Sequence, residues 1–170
     1  MKPQVTLLAT LGLLVASVST ARPAWTQIEN PQQFRALDQA SFNRRNGEVL
    51  LQEANAAISR QDFTTAAELL NQAFEAFNER SNFHQQLATA FSGIDNRVTD
   101  EQREFARAAA QTRDEVSYEL GIVFRAANRP EDAVASFVQV VNSQSPTREL
   151  GQRAYQQLLE LGFVSTPYPN

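Results

Sequence analysis

The side chains able to do chemistry are few and scattered. His84 is the only histidine, cysteine is absent, and Lys2 is the only lysine. A general base or a metal site needs neighbours of suitable type. One imidazole with no thiolate in the chain supplies neither, so His84 reads as a packing residue. Thiolate nucleophiles and zinc–thiolate sites are excluded by composition, as are disulfides, and the lack of lysine after Lys2 removes Schiff-base and Ser-Lys mechanisms from the rest of the chain. Asp100/Glu101 and Glu131/Asp132 are acid pairs of the type a glycosidase uses. Each stands at a proposed helix start, where the helix dipole favours negative charge, so they read as caps. No phosphate-cradling glycine loop, nucleophile elbow or metal-spacing motif occurs. The expectation is a non-catalytic chain with no cofactor and no metal.

The amino-terminal residues point to export. Lys2 gives a short positive region, 5–18 is an apolar run interrupted only by Thr, Gly and Ser, and Ser19-Thr20-Ala21 supplies the small residues of a cleavage site. The run is 14 residues long, and a membrane span needs about 20. Residues 1–21 are therefore expected to be a secretory signal, with a periplasmic or other extracytoplasmic destination and no stable membrane span after cleavage. No Cys follows the signal, which excludes a lipoprotein anchor. Lys2 leaves with it, and the remaining 149 residues carry 14 Arg against 19 Asp and Glu, a net charge of −5. A mildly acidic chain without a basic run is a poor match for nucleic acid or for an anionic membrane surface, since both need clustered cations.

The elements that must position any site are helical. Ala, Gln, Glu, Leu and Arg dominate, Gly is scarce and β-branched alternation is nearly absent, so the chain is expected to be all-α. Asn30-Pro31 reads as an N-cap followed by Pro in the first turn, opening a helix to about Arg45 that carries Phe34, Leu37 and Phe42. Thr99-Asp100-Glu101-Gln102 and Thr112-Arg113-Asp114-Glu115 both fit a capping box and suggest two further helix starts; the alternative, since no Gly or Pro separates Thr99 from Leu120, is one long helix through both. Pro130 and Pro146 stand at expected first turns. Gly162 is a natural residue just past a helix end, and the tail 165–170, with two prolines, reads as a frayed end.

Helix pairing is suggested by one stretch. Tyr118-x-Leu120-Gly121-x-x-Phe124, eight residues to Ala133 and three more to Phe137 resembles the tetratricopeptide repeat, a unit of two antiparallel helices about 34 residues long. With the unit starting at Asp114, Gly121 and Ala133 fall where the two helices of such a unit approach most closely. Ser117 stands where the family prefers a large aromatic, and Pro146 comes one position late. A weaker copy begins at Gly47, 67 residues earlier, with Ala54, Ala66 and Leu70 in phase. A degenerate middle unit would fill about 81–113. With the signal at 1–21 and a flanking helix at 22–46, the resemblance implies three repeats forming an α-solenoid over 47–147, followed by a capping helix and tail at 148–170.

Stacked units of this kind present a concave surface that binds another protein or peptide. The resemblance assigns to it Gln52 and Asn55, then Gln85, Gln86 and Thr89, then Tyr118, Glu119, Ile122 and Arg125, with Tyr118 as an aromatic anchor facing away from the core. The family's carboxylate clamp needs cations where this chain has Leu51, Glu115 and Glu119. Only Asn55 matches, and that mode is not expected. The reading is an exported scaffold or assembly factor. The alternatives are a structural helical-bundle subunit of an envelope complex and, further off, an envelope hydrolase.

Overall fold

A computed structural model describes residues 46–168. The chain divides into two compact units at residues 37 and 38, and the described residues all belong to the second. The expected signal and the helix proposed for 30–45 lie outside the described residues. Every regular element among those described is an α-helix: α1 Gly47–Ser59, α2 Phe63–Phe91, α3 Asn96–Ala126, α4 Pro130–Gln144 and α5 Glu149–Glu160. Short connections force neighbours to run antiparallel. Each helix packs mainly on the next in sequence, with a minor touch between α3 and α5. None is long and apolar enough to cross a membrane.

Start and stop chemistry explains these boundaries. Asn46 accepts from the Glu48 backbone N–H at 3.2 Å, Asp62 from Thr65 at 3.1 Å, and Asp95 from Arg97 and Val98 at 2.9 and 3.4 Å. Each thereby satisfies an orphan donor of a first helical turn. Pro130 opens α4, as its fixed φ predicts. After every helix one residue takes a left-handed φ: Gln61, Gly93, Asn128, Ser145 and Gly162. Ser145 is the most constrained of these, because a Cβ on Gly151 would sit 2.0 Å from its carbonyl oxygen. Past Gly162, the Phe163 N–H bonds the Leu158 carbonyl at 3.0 Å and Val164 packs on the core. The described tail is tied down rather than frayed, since Tyr155 donates to the Thr166 carbonyl at 2.7 Å and its ring meets Tyr168 at 6.1 Å.

The segmentation differs from the three hairpins anticipated for 47–147. Residues 63–91 contain no Gly or Pro and 96–126 contain only Gly121, so each stretch runs as one helix. The proposed caps Thr99 and Thr112 lie inside α3, where their hydroxyls donate to the carbonyls of Asp95 (2.9 Å) and Ala108 (3.2 Å). Asp95 takes over as the cap, and the helix proposed to open at Pro146 opens at Glu149.

Two hairpins nonetheless share one register. α1 with the first half of α2 repeats, 67 residues on, as the second half of α3 with α4. Ala54, Ala66, Leu70 and Ala73 correspond to Gly121, Ala133, Phe137 and Val140, and all eight are buried. Gly47 meets Phe77 in the first hairpin, and Asp114 meets Gln144 at the equivalent place in the second. A Cβ on Gly121 would lie 2.6 Å from the Phe137 ring, so only glycine admits the observed approach of α3 to α4. The main core draws its buried residues from 54–77 and 116–158. Beyond it, residues 78–91 of α2 and 96–111 of α3 continue as a two-helix arm closed by the turn 92–95. Ser81, Ala88, Thr99, Ala106 and Ala109 are buried between its helices, and Ser81 donates to the Ala106 carbonyl at 3.0 Å.

Ala133 is fully buried in α4. Ala133→Leu is expected to overpack the hairpin and cost about 1–3 kcal/mol, measured as a lowered thermal midpoint. An unchanged midpoint would contradict the packing described for α3 and α4.

Candidate functional site

The nine residues expected to line a groove fall on three separate regions. Gln52 and Asn55 are exposed on α1. Gln85, Gln86 and Thr89 are exposed on the arm, outside the main core. Tyr118, Glu119, Ile122 and Arg125 lie on the body half of α3, and two of them are occupied by α5. The Tyr118 ring packs against Phe137 with centroids 5.6 Å apart and carries the Arg153 guanidinium 4.6 Å above it. Arg125 donates to Gln157 and, at 2.9 Å, to Glu160. Tyr118 is thus half-buried against the core, not the outward anchor expected, because α5 folds back over this part of α3. Ile122 remains exposed. Glu119 is half-buried, and burial raises its carboxyl above the usual range.

Surface shape concentrates on the arm instead. One flank holds an open depression of about 740 Å³ with a floor of Ala88, Ala106 and Ala110. Its rim carries Gln85 and Thr89 from α2 and Asp100, Arg103 and Arg107 from α3. Alanines at the floor leave room for a bound backbone to approach the helices closely. Asp100 and Arg103 pair at 3.3 Å with both side chains largely in water, which makes the pair weak and easily exchanged. The Arg107 guanidinium donates to the Arg103 carbonyl and has no acidic partner among the described residues.

The other flank of the arm is aromatic. Phe91 (37% exposed) and Phe105 (46%) lie on it, and Ile94 (78%) projects from the turn. His84 sits between Phe83 and Phe105 at 5.5 and 5.3 Å, with Nδ1 2.7 Å from Gln102 Oε1. The packing role read for His84 from sequence matches this stack. At the arm's base this flank deepens into a depression of about 540 Å³ formed by Leu51, Phe77, Phe105 and Ala108, with Arg80 and Glu48 paired at 2.7 Å on its rim.

One buried charge fixes the arm's root. The Asp114 carboxylate is enclosed, and accepts from Arg113 at 2.7 and 2.9 Å, Ser143 at 2.5 Å and Gln144 at 2.6 Å. Arg113 also reaches Asn78 at 3.2 Å, so a single ion pair joins α2, α3 and α4. With its acceptors filled by donors of its own fold, Asp114 is a structural group. Among the described residues, no three His, Asp or Glu side chains converge as metal ligands.

Sequence reading missed Arg103, Arg107, Phe91, Ile94 and Phe105. Their signals were present: Asp100, Arg103 and Arg107 recur on one helical stripe, and Ile94 is a large apolar residue in a turn between polar neighbours. The chain matches no protein-family model, no curated protein and no solved structure.

Tyr118→Ala should lower stability by about 2 kcal/mol through lost packing and the lost cation–π contact. A thermal melt reads the effect, and an unchanged midpoint would return Tyr118 to the surface. Glu119 yields a pH-dependent prediction. A carboxyl whose folded pKa is raised destabilises the fold once pH rises above the unfolded value. Glu119→Gln should therefore raise the midpoint at neutral pH, and the gain should vanish as pH falls below the ordinary carboxylate range. A gain that persists at low pH would show that desolvation of the charge is not its source.

Proposed function

We propose that this chain is an exported, non-catalytic protein-binding module, a scaffold or assembly factor built from tetratricopeptide-like hairpins, which holds a partner peptide in the polar depression on its arm. The shared register of the two hairpins, offset by 67 residues, supports the repeat reading. In it, the middle unit has become the arm: the turns that would separate it from its neighbours are replaced by continuous helix. The amino-terminal charge and apolar run support export.

The observation that carries binding is the depression itself, a floor of small side chains rimmed by amide, hydroxyl and guanidinium groups. Backbone amides of a peptide find donors and acceptors at Gln85 and Thr89. Arg103 and Arg107 present planar cations suited to the carboxylate of an acidic side chain, and Asp100 leaves a place for a cation. A segment with an acidic residue flanked by small or polar ones is the matching partner.

Partners recovered by pull-down from the exported fraction supply the test. Arg107→Glu should weaken their binding tenfold or more, the scale of about 1.5–3 kcal/mol for a hydrogen bond to a charged group, while the thermal midpoint holds. Unchanged affinity would sink the site. The exported chain should begin at Arg22 by intact mass, and a mass retaining Lys2 would contradict processing.

A further inference from the structure

We infer that the aromatic flank of the arm pairs with the same flank of a second copy of this chain, giving a two-fold dimer with antiparallel arms. The inference rests on the face opposite the peptide-binding depression and stands independently of it.

Three observations lead there. First, the arm is two helices thick and lies outside the main core, whereas a helix layer is stable when its apolar side is covered by another. Phe91, Ile94 and Phe105 are exposed on it, with half-buried Leu87 and Val98 between them. Second, charge selects the occupant. Residues 78–111 carry four Arg and five acidic residues, a net of −1, while the rest of the described residues carry six Arg and twelve acidic ones, a net of −6. Among the described residues, two copies of this chain repel each other least through this near-neutral arm. An antiparallel arrangement also holds the acidic bodies at opposite ends. Third, the flank is self-complementary. The Ile94 knob lies at the tip and the depression formed by Leu51, Phe77, Phe105 and Ala108 lies at the base. A two-fold operation over an arm about 20 Å long brings each knob to the other copy's depression, as an isologous contact requires.

Size sets the strength. A face about 20 Å long and two helices wide removes on the order of 1,000 Å² when paired with its copy, the lower bound for a specific interface. An area at that bound fits a weak, reversible dimer.

Sedimentation of the mature full chain over a concentration series tests this. The expected result is a monomer–dimer equilibrium in which Phe91→Asp, Ile94→Asp or Phe105→Asp each raises Kd at least about tenfold. Thr89→Ala, on the opposite flank and without change of charge, should leave Kd unchanged, which separates this surface from the peptide site. The chain has no cysteine, so single-cysteine variants report orientation cleanly. A mixture of Ile94→Cys and Ala108→Cys copies should form the mixed disulfide, while Ile94→Cys alone should not cross-link to itself. Monomers at every concentration, or a dimer indifferent to the three aspartate variants, would overturn the inference. So would self-linked Ile94→Cys, which requires parallel arms. A lowered melting midpoint in the aspartate variants without any change in mass would place the cover within a single copy and overturn it equally.

Discussion

The uninterrupted run of two helices past the point where a repeat would turn is the constraint on which the rest of this structure depends. A helix ends where a residue breaks it or where capping offers its terminal groups a better partner. From Phe63 to Phe91 neither occurs. From Asn96 the helix likewise continues through two threonines that have every local feature of a cap, because no glycine or proline precedes them to release the backbone. Each threonine hydroxyl turns back onto the carbonyl four residues earlier, and the ladder is preserved. The outcome is a pair of rods of which only one end is embedded in a core.

That embedded end is crowded, and its crowding is specific. Small residues recur where helices cross, at Ala54, Ala66, Gly121 and Ala133, and large ones fill between them at Leu70, Phe77 and Phe137. Interior packing of this density tolerates little change in volume. The free end follows a different rule. Its alanines and hydroxyls fasten two helices together, but they leave the flanks to solvent or to a partner, one flank charged and the other aromatic. Exposed flanks and folding core are thereby kept on separate stretches of the same two helices.

Much of this was legible in the chain. Composition pointed to an all-α chain, and every regular element among the described residues is a helix. Pro130 and Gly162 marked their turns through backbone conformation that local chemistry fixes, and Gly121 and Ala133 marked helix crossings through their size. Tertiary events were less legible. The spacing around Tyr118 placed it on an outward face, and only the return of α5 with Arg153 turns that face inward. The threonine caps failed because a capping box is a local preference, outweighed when elongation costs less than a new helix start. The arm escaped notice for the opposite reason: its residues fit a repeat pattern loosely, and nothing local distinguishes a hairpin that stacks from one that projects.

The two hairpins are alike in register but differ in what closes them. At one, an aromatic ring fills the space left by Gly47; at the equivalent place in the other, a carboxylate enclosed by an arginine, a serine and a glutamine does so. Two hairpins of matching register within one chain offer each helix two partners of similar shape while the chain is still assembling. Here an exchange would bury Asp114 against a phenyl ring, keeping Arg113 beside it but losing the donors Ser143 and Gln144. The polar lock therefore ties closure of the second hairpin to Ser143 and Gln144, because a buried carboxylate that loses its donors costs more than a ring that loses a contact.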